Sequence, residues 1–254
     1  MIVGVIVAAL FGLVIGSFLN VCIYRLPRGE SVAWPASRCT SCQRALAWYE
    51  NVPVLSWAVL GGRCRTCKAR VSVVYPVIEL TTGILFGAAY CWYGPTPLGI
   101  VRMLFGCAMV VLFVIDLQHR ILPNVITVPG TFIGLALSLF LPPGWVSSLI
   151  GVAVGGGMLF GIAETYYRIR GIQGLGMGDV KMLAMIGAFL GWQLTLVTLI
   201  LASFGGALVG VALIVTQRGG MQAALPFGTF LAVAAAIAAV AGDSLVTWYL
   251  SYYQ

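Results

Sequence analysis

Charge is scarce in this chain of 254 residues. It has 14 Lys and Arg and 7 Asp and Glu, together 8% of residues, against 61% hydrophobic residues and a mean hydropathy of +1.03. A soluble domain with a large core needs more polar surface than 21 formal charges supply, so that class is excluded. Histidine is scarcer still: His119 stands alone, with no Ser or Cys beside it in sequence to suggest a nucleophile and base. No glycine-rich dinucleotide fingerprint is present. The net charge of +7 calls for no nucleic acid partner, because basic residues at a bilayer surface gain about 1 kcal/mol each from anionic headgroups. Aspartate occurs three times. Asp243 falls near the outer end of the last apolar run and is set aside, whereas Asp116 and Asp179 adjoin apolar runs of membrane-spanning length, where a carboxylate is expensive unless it is paired or functional.

What is abundant is apolar run. Stretches of spanning character lie near 2–24, 74–93, 98–117, 125–141, 146–163, 180–193, 195–216 and 227–249. They predict an all-α polytopic membrane protein of about eight transmembrane helices. Turn residues separate them: Tyr93-Gly94-Pro95, Pro142-Pro143-Gly144 and Arg218-Gly219-Gly220. The first run has no basic segment before it and no small-residue cleavage site after it, so it reads as a retained helix and not as a signal peptide. Eight basic residues fall between Arg25 and Arg70, and Arg120, Arg168, Arg170, Lys181 and Arg218 lie on the same face of an eight-span arrangement. Only Arg102 is on the other. The positive-inside rule makes the basic face cytoplasmic.

The long connection at residues 25–72 carries Cys39-x-x-Cys42 and Cys64-x-x-Cys67, 21 residues apart. Two such pairs supply four thiolates for one tetrahedral ion, zinc first and rubredoxin-like iron second. Two disulfides are the alternative, disfavoured by a reducing cytoplasm. The loop is too poor in apolar residues to fold by burial, so a metal would supply folding free energy in a zinc-ribbon-like unit. Trp48 and Trp57 read as interfacial anchors. Cys22, Cys91 and Cys107 read as small buried hydrophobes within spans.

Asp116 ends the third run and Asp179 opens the sixth, so both are expected at the cytoplasmic membrane boundary. Two carboxylates brought together there share a proton and can hydrolyse an amide without a nucleophilic side chain, one acting on water and the other as an acid. The alternative is an ion pair for each, Asp116 with Arg120 and Asp179 with Lys181. Gly174, Gly176 and Gly178 before Asp179 suit a sharp turn that opens a helix. The sixth run is short for a bilayer, about 21 Å against a core of about 30 Å, which favours a wet site near Asp179.

Several motifs in order carry a family resemblance. They are Gly16-Ser17-Phe18-Leu19-Asn20-Val21 with Tyr24-Arg25-Leu26-Pro27, the two cysteine pairs, Glu50-Asn51-Val52-Pro53, Tyr75-Pro76 with Glu79-Leu80, Ile115-Asp116, Leu122-Pro123-Asn124, Gly176-Met177-Gly178-Asp179-Val180-Lys181 and Pro226-Phe227-Gly228. Over nearly its whole length the chain resembles the bacterial prepilin leader peptidases, which are intramembrane aspartyl proteases. The resemblance implies removal of a basic leader from prepilins or type II secretion pseudopilins by Asp116 and Asp179 at the inner membrane. It further implies N-methylation of the new terminus with S-adenosylmethionine, with Glu50, Gly62 and Arg63 carried over to methyl transfer. In these terms residues 1–24 are the first helix, 25–72 the metal-binding methyltransferase loop and 73–254 the peptidase core. Glu30, Glu50, Glu79 and Glu164 are candidate counter-charges for a basic leader. A peptidase without methyl transfer, or a transporter using the same aspartates, are the competing readings. A transporter would favour aspartates at mid-membrane and related halves, and the sequence displays neither.

Overall fold

The computed structural model describes residues 1–171, 176–216 and 225–252. The described residues are helical with no strand element. In chain order the helices are α1 (Ile2–Arg25), α2 (Leu55–Val59), α3 (Val74–Tyr93), α4 (Pro97–His119), α5 (Asn124–Leu137), α6 (Trp145–Arg170), α7 (Met177–Val215) and α8 (Phe227–Leu250). Among the described residues, α1, α3, α4, α6 and α7 are the five helices long and apolar enough to cross a membrane. A sixth is α8, if its two arms, set at 67°, count as one span. The fold is therefore that of an all-α membrane protein. All eight apolar runs are helical, but the sixth and seventh are joined: they are the two arms of α7, separated at Gly191 (φ 77°, ψ 171°) instead of by a loop. A side chain at that φ would be strained, and its Cβ would lie 2.4 Å from Ser147 Oγ. The turn expected at Arg218-Gly219-Gly220 and the residue Gly174 lie outside the described residues.

The chain forms two compact units, Met1–Val111 and Leu112–Gln254, and the division falls inside α4. In the first unit α1 packs along α3 at close range. A Cβ on Gly12 would meet the Thr82 carbonyl at 2.7 Å and one on Gly16 the Glu79 Cα at 2.7 Å, so glycine on α1 sets how near α3 can come. The loop then leaves α1 under control of Arg25. This buried guanidinium donates to the carbonyls of Ser31 (2.9 Å) and Pro35 (2.7 Å), satisfying a charge at a helix end while folding the loop back. Residues 26–73 contain only two buried positions, Gly62 and Cys64. A segment of that length without an apolar core cannot offset its own conformational entropy by burial.

In the second unit α7 is the centre, packed by α5, α6 and α8. Contact between α6 and α7 is backbone on backbone. A Cβ on Gly187 would stand 2.2 Å from the Gly151 carbonyl oxygen, and one on Gly151 would stand 2.5 Å from that of Gly187. Spacing glycine at 151 and 155 produces the small-xxx-small stripe through which apolar helices associate by van der Waals contact. Ser148 Oγ adds a buried hydrogen bond to the Ala188 carbonyl at 2.8 Å. The buried hydroxyls of Thr195 and Thr198 donate to the carbonyls one turn back, so these two polar groups need no water.

Gly187→Leu should therefore break the α6–α7 contact at a cost of about 3 kcal/mol or more, seen as loss of folded protein in detergent thermal denaturation. Gly161→Ala, where an added Cβ meets nothing within 4 Å, should leave the midpoint unchanged or slightly raised.

Candidate functional site

Asp116 is buried near the end of α4, and its Oδ2 accepts two hydrogen bonds from the start of α8: Thr229 N–H at 2.7 Å and Thr229 Oγ1 at 3.0 Å. Thr229 is the third residue of α8, so its amide is one of the donors left unpaired at a helix start. Asp116 therefore caps α8 from a distant part of the chain, with a negative charge at the positive end of the helix dipole. Asp179 holds the same position in α7, where its amide donates to the Gly176 carbonyl at 3.1 Å. It is half-buried. Leu122 lies between the two helix starts: a Cβ on Gly178 would meet it at 3.0 Å and one on Gly228 at 2.8 Å. The structure thus draws together Ile115-Asp116, Leu122-Pro123-Asn124, Gly178-Asp179 and Pro226-Phe227-Gly228. The ion-pair alternative is not what these residues adopt. Lys181 Nζ donates to Asn124 Oδ1 at 2.9 Å, and the salt bridges among the described residues are Arg44–Glu50 and Arg168–Glu164.

The four loop cysteines also converge. Their sulfurs all lie within 4.8 Å of one another, with Cys39 Sγ and Cys67 Sγ 3.8 Å apart. Four thiolates around one ion at a zinc–sulfur distance of about 2.3 Å sit about 3.8 Å apart, whereas a disulfide requires about 2.05 Å. The donor set fits zinc and the cysteines are free thiols. The two halves are built alike. Cys39 N–H donates to Arg44 O and Gln43 N–H to Cys39 O; Cys64 N–H donates to Ala69 O and Lys68 N–H to Cys64 O. Gln43 and Lys68 share a φ of 57°, and the bridges Arg38–Ala45 and Arg63–Arg70 close the two turns. Each turn aims amides at its first sulfur. Those of Cys42 and Ser41 lower the Cys39 thiol, and those of Cys67 and Thr66 bring Cys64 down to about 6. At Cys67 the Ala69 amide favours the thiolate, but burial and the sulfurs of Cys64, Cys42 and Cys39 outweigh it and push the thiol up to about 11. A divalent cation removes that conflict.

Beside the cysteines the first unit encloses a cavity of about 720 Å³, within the range of small-molecule sites. Its lining includes Ser17, Asn20, Glu50, Arg63, Tyr75 and Glu79. Both Glu50 oxygens accept from Arg44 (2.7 and 2.9 Å), and Oε2 also takes the Ala47 amide at 2.9 Å. The Arg44 hydrogen bond, then that amide, holds its carboxyl below the usual range. Gly62 has φ 65°, and a Cβ there would stand 2.8 Å from the Trp57 ring. Trp57 is held against it by an indole N–H to the Val71 carbonyl at 3.2 Å.

Residues 10–93 match the bacterial peptidase A24 N-terminal domain, and residues 103–211 match the type IV leader peptidase family. A prepilin leader peptidase/N-methyltransferase of Pseudomonas putida is 36% identical over 94% of this chain and 91% of its own length. The chain belongs to the type IV leader peptidase family. Similar relatives of the same description occur in Aeromonas hydrophila (36% identical, 96% of this chain and 93% of the relative) and Myxococcus xanthus (43%, 82% and 63%). No solved structure matches.

Against the family background, several residues escaped the sequence reading. Thr229 directly follows the quoted Pro226-Phe227-Gly228 but carried no signal of its own, because its partner is 113 residues away. Arg44 was likewise invisible as the partner of Glu50. The repeated Arg-Cys-x-x-Cys at 38–42 and 63–67 was the available sign that the two turns are alike. Some expectations need correction. Trp57 is half-buried within the loop, whereas Trp48 is 82% exposed. Cys107 is buried as expected, but Cys91 is exposed and Cys22 half-buried. Glu50 and Glu164 are each committed to an arginine and are not free counter-charges.

Cys64→Ser should lower bound zinc, measured by elemental analysis of purified protein. It should also open residues 26–73 to limited proteolysis while leaving the helices after Leu112 protected. Unchanged zinc content would contradict a shared four-sulfur site.

Proposed function

We propose that this chain cleaves the leader from type IV prepilins or type II secretion pseudopilins and then methylates the exposed N-terminal amine. What supports the reading is that Asp116 is held at the start of α8 by Thr229 while Asp179 lies in the first turn of α7, with Leu122 against both helix starts. Peptide hydrolysis needs a base to take a proton from water and an acid to protonate the departing amine. Two interacting carboxyls that hold one proton between them supply both. Thr229 fixes Asp116 with two donors, and this keeps one partner of the pair from rotating away. A prepilin has a basic leader followed by an apolar helix, so its scissile bond lies at the membrane boundary. Both carboxyls stand at the ends of apolar helices, which suits that depth.

In this reading the enzyme resides in the bacterial inner membrane with its loop and both aspartates at the cytoplasmic face, as the distribution of basic residues supports. Residues 73–254 cleave and residues 25–72 methylate. Cys39, Cys42, Cys64 and Cys67 hold a structural zinc ion, whose binding contributes the folding free energy that the coreless loop lacks. S-adenosylmethionine supplies a sulfonium methyl group. The cavity beside the zinc turns suits it in size, Arg63 suits the donor's carboxylate, and Glu50 with Gly62 and Trp57 shapes the wall.

Incubating a prepilin with labelled S-adenosylmethionine and weighing the product separates the two steps, since leader loss and methyl gain are distinct mass changes. Asp116→Asn and Asp179→Asn should each reduce cleavage by roughly 10³-fold or more while still methylating a pre-cleaved pilin. Full cleavage by either variant would sink the carboxylate pair. Cleavage without methyl gain in the unaltered enzyme would leave a peptidase alone.

A further inference from the structure

The cavity in the first unit has two chemically different ends. Arg38, Arg63, Arg65 and Arg70 from the zinc turns make one of them strongly basic. The other is made by the apolar helices, with Ser17, Asn20, Tyr24 and Arg25 from α1 and Tyr75 and Glu79 from α3, the Arg25 guanidinium being directed at the Ser31 and Pro35 carbonyls. Glu79 is only 7% exposed, yet no cation pairs with it among the described residues. Its Oε2 accepts the Val54 amide at 2.7 Å, and Ser17 also hydrogen-bonds the carboxyl. Val54 has a φ of 61°, a strained value for a β-branched residue, so the chain is bent out of its preferred region where it meets this carboxylate. Asn20 donates from its side chain to the Tyr75 carbonyl at 3.1 Å. Glu50, a half-buried glutamate on the cavity wall, is paired with Arg44. A buried, uncompensated carboxylate at the membrane-helix end of a cavity is costly in the free protein and suits a cationic ligand.

We propose that Glu79 is the binding group for the acceptor amine: the free N-terminal ammonium of an apolar polypeptide helix that reaches the cavity from the bilayer side. The proposal rests on the methyl-transfer reading and deepens it. An N-terminal ammonium has an ordinary pKa near 8 and is unreactive until it loses a proton. Its nitrogen then donates its lone pair to the methyl carbon, the carbon–sulfur bond breaks with its electron pair staying on sulfur, and the sulfonium charge is lost. The new carbon–nitrogen bond leaves one proton in excess on nitrogen. A carboxylate beside the nitrogen holds the ammonium on arrival and takes a proton from it. The arginine end of the same cavity suits the donor's carboxylate, which separates the two ligands by charge.

The test compares two hydrophobic helical peptides in detergent, identical except that one has a free N-terminal amine and the other an acetyl cap. The unaltered enzyme should bind the free amine about thirtyfold more tightly. Glu79→Gln keeps an oxygen to accept the Val54 amide, so a purely structural role survives it. It should abolish the preference and reduce methyl transfer to a pre-cleaved pilin at least about a hundredfold, while zinc content and affinity for S-adenosylmethionine stay unchanged. An apolar carbodiimide should couple the peptide amine to Glu79 of the unaltered protein, mapped by mass spectrometry, so the proposal is decided even if the variant does not fold. Retained preference in Glu79→Gln, weakened donor binding instead, or coupling to Glu30 or Glu50 would overturn it. If the unaltered enzyme transfers no methyl group, the functional reading fails separately, and the binding preference and coupling still decide whether Glu79 receives an amine.

Discussion

A carboxylate in an apolar helical bundle must be given hydrogen-bond donors, and helix starts are the one plentiful source of unpaired amides. The second unit is arranged around that constraint. Asp116 and Asp179 are placed at the first turns of α8 and α7, and the Asp116 bonds to Thr229 tie the end of α4 to the start of α8. Leu122 and the Lys181–Asn124 bond gather the remaining ends into the same place. The close glycine contact between α6 and α7 braces the first arm of α7, so one of the two carboxyl-bearing helices is held by backbone contact near Leu183–Gly191.

The first unit answers the opposite problem, a polar loop with almost nothing to bury. There the ordering comes from Arg25, from Trp57 on Gly62, and from four sulfurs at ion-sharing distance. Glycine again sets a spacing, since Gly12 and Gly16 let α3 approach α1 and bring Glu79 beside Ser17. The polar cavity is therefore lined both by residues of the apolar helices and by residues of the cysteine turns.

Much of this was legible in sequence because it depends on local pattern. Apolar runs located every long helix, and the cysteine spacing identified the four sulfurs before any geometry was known. Asp116 and Asp179 stood out by cost alone. The limits are equally physical. Hydropathy carries no record of a backbone break that stays helical on both sides, so the two arms of α7 read as separate spans. Partnerships such as Thr229 with Asp116 and Lys181 with Asn124 link residues far apart in the chain, and no spacing rule records them. The packing of Trp57 on Gly62 was likewise unread, because an aromatic near a membrane and one packed on glycine have the same composition signature.

The likeness of the two cysteine turns has a consequence for the order of assembly. They repeat at an offset of 25 residues, and each contributes two of the four sulfurs, so neither turn alone completes a tetrahedral site. During synthesis at about 5–20 residues per second the first pair waits roughly one to five seconds for the second. In that interval α1 is already made and the loop has no fixed shape. Ordering of the loop is thereby postponed until the chain has nearly reached α3, the helix that carries the cavity's buried carboxylate.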